Sequence, residues 1–465
     1  MQKTENMSKI KLFTLKEAAA YMGKSIHNIS YLITYGRINK YSQTGKIVKK
    51  INNGITYVSK KELDNYSKQW SNQLKQRRDL LKIKDQELAF YHLSEKERTK
   101  HIHRLHPYLG KFIPQLVEYY LQKYFKVEDL ILDPFMGSGT TLAVCSELGM
   151  KSIGIDISEF NCMIARAKLE HYDLEKVSKE IDKIYNQTKI FSDNWNLHYK
   201  ITDPIIKNND YLNSWFAKRS LAEISFYKSK ISEYEYQDIL KIILTRAARS
   251  SRLVHHYDIA TPRIPIKEGE SYTCRKHLNK LCMPLDRAIG KIKIYSNDTK
   301  RRIQEFSELR QTDNFQILHN DSRTIDLQNN IYDKWKNKKI DGIFTSPPYV
   351  GQIDYHEQHR YAYEIFGIPR DDDKEIGRKK LGKSKSAHIK YQTGISEVFA
   401  NVIKAMNPES KIFIVANDKF NLYPKIIKDA GLEQIGFRER PVEARAEGDK
   451  AAYSEKIFEC GIAKP

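Results

Sequence analysis

One stretch constrains this chain more than any other: Leu130-Ile131-Leu132-Asp133-Pro134-Phe135-Met136-Gly137-Ser138-Gly139-Thr140-Thr141. It predicts a buried strand, a glycine loop and a helix start in direct succession. Two glycines let the backbone turn tightly and approach a ligand closely. Ser152-Ile153-Gly154-Ile155-Asp156-Ile157 follows as a second apolar strand ending in an acid. In a parallel α/β sheet, ligands bind at the carboxyl ends of such strands, and an acid spaced this way can accept bonds from ribose hydroxyls. A lone GxG is shared by nucleotide-binding folds and plain turns, and Asp156 can also be read as a helix N-cap.

A second stretch narrows the chemistry. Asp341-Gly342-Ile343-Phe344-Thr345 is an apolar strand that runs straight into Ser346-Pro347-Pro348-Tyr349. Two prolines fix φ and remove two backbone donors, leaving a rigid loop that presents carbonyl oxygens. That suits an exocyclic amine, whose lone pair is delocalised into a base ring and is a poor nucleophile. A Ser346 oxygen and the Pro347 carbonyl, both accepting N–H bonds, favour a pyramidal nitrogen with its lone pair aimed at an electrophile. The Tyr349 ring is placed to stack on a base taken out of the duplex. Such chemistry needs no nucleophilic cysteine, and the chain has no Pro-Cys motif.

The residues DPFMGSGTT and SPPY together resemble the amino-methyltransferases of restriction–modification systems. The resemblance covers residues 101–170 and 315–465. It implies a Rossmann-like class I methyltransferase sheet, S-adenosylmethionine as cofactor and double-stranded DNA as partner. In the family, the loop bearing Asp133, Phe135, Gly137, Ser138, Gly139 and Thr140 wraps the methionine end of the cofactor, and Asp156 binds its ribose. His106-Pro107-Tyr108-Leu109-Gly110-Lys111-Phe112 is similar to a motif that closes over the same end, implying contacts from His106, Pro107, Lys111 and Phe112. Asp321, ending the apolar run Ile317-Leu318, faces adenine by the same resemblance, or caps the next turn. Family members reading Thr-Ser-Pro-Pro-Tyr, as here, mostly methylate cytosine N4, whereas Asp-Pro-Pro-Tyr and Asn-Pro-Pro-Tyr accompany adenine N6. The alternatives are an adenine-N6 enzyme, an RNA amino-methyltransferase and a non-catalytic DNA-binding regulator. A separately encoded restriction endonuclease is the implied partner.

Residues 12–66 form a module of their own. Thr14, with Glu17 three residues on, caps a helix that Gly23 stops, and Ser25 opens a second. Two short strands around Asn52-Asn53-Gly54 and a helix from Ser59 follow. This order resembles the winged helix-turn-helix of the MerR and excisionase type. It implies phosphate contacts from Arg37, Lys40, Lys46, Lys49 and Lys50, with a protein-contact module as the alternative. Residues 67–100 read as a charged helical linker. Residues 170–315 interrupt the catalytic motifs with helical periodicity and are the candidate target-recognition region. Arg249 and Arg252 stand there among Arg246, His255, His256 and Arg263, as DNA contacts or as a basic helix end.

The net charge of +21, from 79 Lys+Arg against 58 Asp+Glu, agrees with a polyanionic partner. Cys274 and Cys282, with His277 between them, fit no zinc-finger frame, so the five cysteines read as free thiols and no metal is expected. No apolar run approaches the ~20 residues of a membrane span. The expected location is cytoplasmic.

Overall fold

Thr14 and Gly23 delimit the first helix as their chemistry dictates. The computed structural model describes residues 11–34, 38–48, 55–68, 85–108, 110, 112–196, 199–260, 262–277, 280–331, 335, 338–442 and 453–464. Strand β1 (Leu12–Thr14) leads into the helix Leu15–Met22, where Thr14 and Glu17 form a capping box and Gly23 ends the helix at φ 59°. The helix Ile26–Thr34 follows, then strand β2 (Tyr57–Ser59) and helical residues 60–68. Ala18, Ile29, Leu32, Val58 and Leu63 make the small core. β2 pairs antiparallel with β1, Phe13 opposite Val58, and Tyr57 also bridges Tyr41 through two backbone hydrogen bonds. A tight turn lies at Ser42–Lys46, where the Ser42 N–H donates to the Lys46 carbonyl over 2.8 Å. Asn52, Asn53 and Gly54 lie outside the described residues, as do Arg37, Lys49 and Lys50.

The large sheet is built from β3 (Leu130–Asp133), β4 (Lys151–Asp156), β7 (Phe315–His319), β8 (Ile340–Thr345), β9 (Met406–Ala416), β10 (Leu432–Val442) and β11 (Tyr453–Ile462). A separate hairpin supplies β5 (Tyr272–Cys274) and β6 (Lys280–Cys282). The order is β10-β11-β9-β8-β3-β4-β7, and β11 alone runs antiparallel to its neighbours. The chain leaves β3 for β4 and β7 on one side and returns to β8 and β9 on the other. The carboxyl ends of β3 and β8 therefore flank the switch point where ligands bind in doubly wound sheets. This is the Rossmann-like sheet that the resemblance implied. Leu130, Ile131 and Leu132 are fully buried, each such side chain contributing about 1.5–3 kcal/mol by leaving water.

Two expected boundaries move. Residues 85–100 are not one linker helix but a 3₁₀ turn (Gln86–Ala89) and a single helical turn (Glu95–Arg98). They are held on the sheet by an Asp85–Arg438 ion pair at 3.2 Å and by Leu88, buried beside Leu116 and Tyr120. The inserted region shares one apolar cluster with the catalytic helix Glu159–Leu169: Leu240, Ile243 and Leu244 pack with Phe160 and Ile164. Residue 170 is thus not a packing boundary. The five cysteines are free thiols, as expected, and the β5–β6 hairpin brings Cys274 and Cys282 together with His256 and His277. Among the described residues, no helix is long and apolar enough to cross a membrane.

Candidate active site

The glycine loop leaves β3 and enters the helix Thr140–Glu147, which is buried along its whole length. Gly137 and Gly139 sit at φ 52° and 73°, where a side chain is strained. A Cβ on Gly137 would stand 3.2 Å from the Tyr108 hydroxyl, and one on Gly139 would stand 3.0 Å from the Ala165 methyl. Asp156, at the end of β4, holds the loop. One carboxylate oxygen accepts from the Gly137 N–H at 2.8 Å, the other from the Ser158 N–H at 2.8 Å and the Asn161 amide at 3.1 Å. Burial outweighs these bonds and pushes the Asp156 carboxyl up to about 6.

Beside the loop opens a cleft with about 860 Å³ of empty space. Of the residues expected at a ligand, Phe112, Phe135, Gly137, Ser138, Thr140, Asp156, Asp321 and Ser346 line it, together with Pro348. Asp321 is gripped by Arg323, whose Nη2 lies 2.6 Å from it. Burial opposes ionisation there, but the Arg323 bonds hold the carboxyl below its usual value. Ser138 Oγ and Asn161 Oδ1 are buried without a hydrogen-bond partner among the described residues.

Other expected contacts stand behind the wall. His106 is fully buried, edge-on to Phe160 at 5.2 Å, and burial lowers its pKa well below the usual value. Pro107 and Gly139 do not line the cleft, and Lys111 lies outside the described residues. Asp133 is 1 % exposed; it accepts from the Thr345 hydroxyl at 2.6 Å, and burial pushes its carboxyl up to about 6. It therefore ties the end of β3 to the residue preceding Ser346 and does not line the cleft.

The loop after β8 is anchored by two tyrosine hydroxyls. Tyr391 donates to the Pro348 carbonyl at 2.9 Å, and Tyr349 donates to Glu455 at 2.8 Å. Glu455 in turn binds the buried guanidinium of Arg440 at 2.9 Å. Pro347 is buried, and Tyr349 is only 8 % exposed. Neither Pro347 nor Tyr349 lines the cleft.

Sequence reasoning missed several walls of the cleft. Tyr108 stacks on Tyr355 and His359 at 5.8 and 5.6 Å and covers Gly137; its place in the His106–Phe112 motif was the available signal. Ser158, Asn161, Ser322 and Glu375 also line the cleft. Glu375 accepts from the Tyr355 N–H at 2.6 Å and fixes the segment after SPPY, a pairing with no local sequence signal.

The expected DNA contacts separate. Lys46 is exposed and Lys40 half-buried, both flanking the 42–46 turn. Arg249 is half-buried. Arg252 is 5 % exposed: it donates to the Ile259 carbonyl at 2.7 Å and lies over Tyr361 at 5.0 Å, so it is a packing residue and not a phosphate contact.

Residues 7–167 match the N6_N4_Mtase family model, described as DNA methylase. The chain is 43% identical to the type II methyltransferase M.MjaII of Methanocaldococcus jannaschii over 97% of both proteins. It is 25% identical to the type II methyltransferase M.MvaI of Kocuria varians over 64% of each. With M.BsoBI of Geobacillus stearothermophilus the identity is 26%, over 63% of this chain and 59% of that one. With the switch-point cleft, the glycine loop and the SPPY loop in place, this chain belongs to the DNA methylase family of type II methyltransferases, which take their methyl group from S-adenosylmethionine.

Proposed function

We propose that this DNA methyltransferase modifies the exocyclic N4 amine of a cytosine flipped out of the duplex. One observation carries the reading: Ser346, within Thr345-Ser346-Pro347-Pro348-Tyr349, lines the same cleft as Gly137, Ser138 and Asp156. The cleft suits S-adenosylmethionine, because the unpartnered Ser138 Oγ and Asn161 Oδ1 call for a polar ligand. Phe112, Phe135, Gly137, Ser138 and Thr140 hold its methionine end, Asp156 its ribose, and Asp321 its adenine. When bound, the cofactor supplies a methyl group on a positively charged sulfur.

Ser346 Oγ and the Pro347 carbonyl accept the two N–H bonds of the amine and turn its lone pair toward that methyl. Much of the rate comes from this positioning. The methylated nitrogen, made acidic by its positive charge, gives its surplus proton to water; Ser346 Oγ, a neutral hydroxyl, orients the amine and does not keep the proton. Tyr349, fixed through its hydroxyl to Glu455, keeps the loop rigid and walls the base site. Residues 12–66 add duplex affinity through Lys40 and Lys46, and the inserted region contributes target recognition with Arg249. A separately encoded endonuclease of the same specificity is the matching partner.

The test is methylation of duplex DNA with isotope-labelled cofactor, followed by digestion to nucleosides and mass spectrometry. Label in N4-methyldeoxycytidine is expected. Label in N6-methyldeoxyadenosine moves the assignment to adenine.

A further inference from the structure

We propose that the inserted region holds one zinc ion, ligated by His256, Cys274, His277 and Cys282. One ligand atom from each of these side chains lies within 4.8 Å of all the others. His277 Nδ1 is 3.2 Å from Cys282 Sγ, and His256 Nδ1 is 4.0 Å from Cys274 Sγ. A tetrahedron with Zn–S near 2.3 Å and Zn–N near 2.0–2.1 Å has edges of roughly 3.3–3.8 Å. The four atoms already bracket that size.

Three pieces of backbone make the cluster. In the β5–β6 register Cys274 faces Lys280 and Cys282 faces Tyr272, so the thiols lie two positions apart and project from one face of the hairpin. His277 sits in the 3₁₀ turn Arg275–His277 between the strands. His256 enters from the turn after the helix Gln237–Ser251; its N–H donates to the Tyr272 hydroxyl at 2.9 Å, and its ring meets that of His277 at 5.0 Å. The four residues thus tie the hairpin to the end of a core helix.

The hairpin needs such a tie. Each strand has three residues, and an isolated two-stranded hairpin is marginal in water. Apolar packing does not replace it, since Leu281 is 70 % and Met283 58 % exposed. Two thiolates and two imidazoles in a tetrahedron select zinc among the common divalent ions. Binding releases the two thiol protons to solvent and moves no electrons, and the charge of the ion is balanced by the two thiolates. No local pattern announces the site, because His256 and the Cys274-to-Cys282 spacing match no finger frame; only the register and the preceding turn bring the four together.

The experiment is elemental analysis of the full chain purified under reducing conditions without chelator. About one zinc per chain is expected, with loss to background in Cys274→Ser/Cys282→Ser. Cobalt substitution of the unaltered chain guards against misfolding of the variant. It should give a thiolate-to-cobalt charge-transfer band and intense tetrahedral d–d bands. Zinc at background in the unaltered chain, a cobalt spectrum without the charge-transfer band, zinc retained by the double variant, or a Cys274–Cys282 disulfide in peptide mapping would each overturn the site. S-adenosylmethionine affinity, measured in parallel, reports on the methyl-transfer cleft independently of the metal.

Discussion

Asp156 in the cleft and Asp298 in the inserted region are both partly buried carboxylates, and their surroundings drive them in opposite directions. Among the described residues Asp156 accepts N–H bonds from Gly137, Ser158 and Asn161 and has no salt bridge, and burial raises it to about 6. For Asp298 burial is outweighed by the guanidiniums of Arg302 and Arg246, which hold it far below the usual carboxylate range. The Arg246 pair joins the helices Gln237–Ser251 and Ile289–Ser307, the Arg302 pair lies within the second, and Arg302 also donates to the His101 carbonyl at 2.8 Å. A carboxylate without a cation keeps accepting capacity for a ligand. One clamped by two arginines has become part of the frame.

The largest expected effect breaks the clamp. Asp298→Ala leaves the buried guanidiniums of Arg246 and Arg302 uncompensated and should destabilise the fold by about 3–5 kcal/mol. Denaturant unfolding reads this, and cofactor affinity at low temperature should stay within about twofold if the frame and the cleft are separate. Gly137→Val acts on the other side. A branched side chain at φ 52° against Tyr108 should weaken S-adenosylmethionine binding by about 2–4 kcal/mol, measured by calorimetry on folded protein. Ser346→Ala should lower kcat by roughly 10²–10³ with unchanged cofactor affinity, as when one preorganised transition-state hydrogen bond is removed. Equal losses in binding and turnover would instead make Ser346 a cofactor contact.

Asp133 sharpens the comparison through pH. Its folded value of about 6 lies above the ordinary aspartate value of 3.8, so the folded state binds this proton more tightly. Stability contributed by the protonated form is full below about 4 and is lost as pH rises through 6. Relative to Asp133→Asn, the unaltered chain should therefore lose about 2–3 kcal/mol between pH 4 and pH 7. A flat difference across that range in denaturant titrations would mean that Asp133 is not ionising inside the fold. The smallest effect belongs to the N-terminal module. A chain starting at Asp85 keeps the cleft and should bind cofactor fully, while its log–log salt slope for DNA falls by about 0.9 for each phosphate that the module had neutralised.

What was legible in the sequence was contiguous. The strand, loop and helix of residues 130–147, the acid ending β4 and the SPPY loop are local patterns, and they fix the sheet and its switch point. The misreadings concern side chains whose partners lie far along the chain. Asp133 and His106 belong to family-like motifs, yet Thr345 and Phe160 decide that they face inward. Arg252 looked like part of a basic surface until Tyr361 and the Ile259 carbonyl enclosed it. β2 pairs with β1, more than forty residues earlier in the chain, and Val58 enters the module core there.

The most direct test of cytosine-N4 transfer removes the reacting amine from the substrate. Once the modified site has been read from methylated DNA, a duplex carrying 2-pyrimidinone in place of the target cytosine presents the same ring without the exocyclic nitrogen. Methyl transfer to that strand should vanish while S-adenosylmethionine binding is unchanged, and removing the amines of the adenines in the site should leave transfer intact. Persistent transfer to the 2-pyrimidinone duplex, or loss of transfer only when an adenine amine is removed, would contradict it.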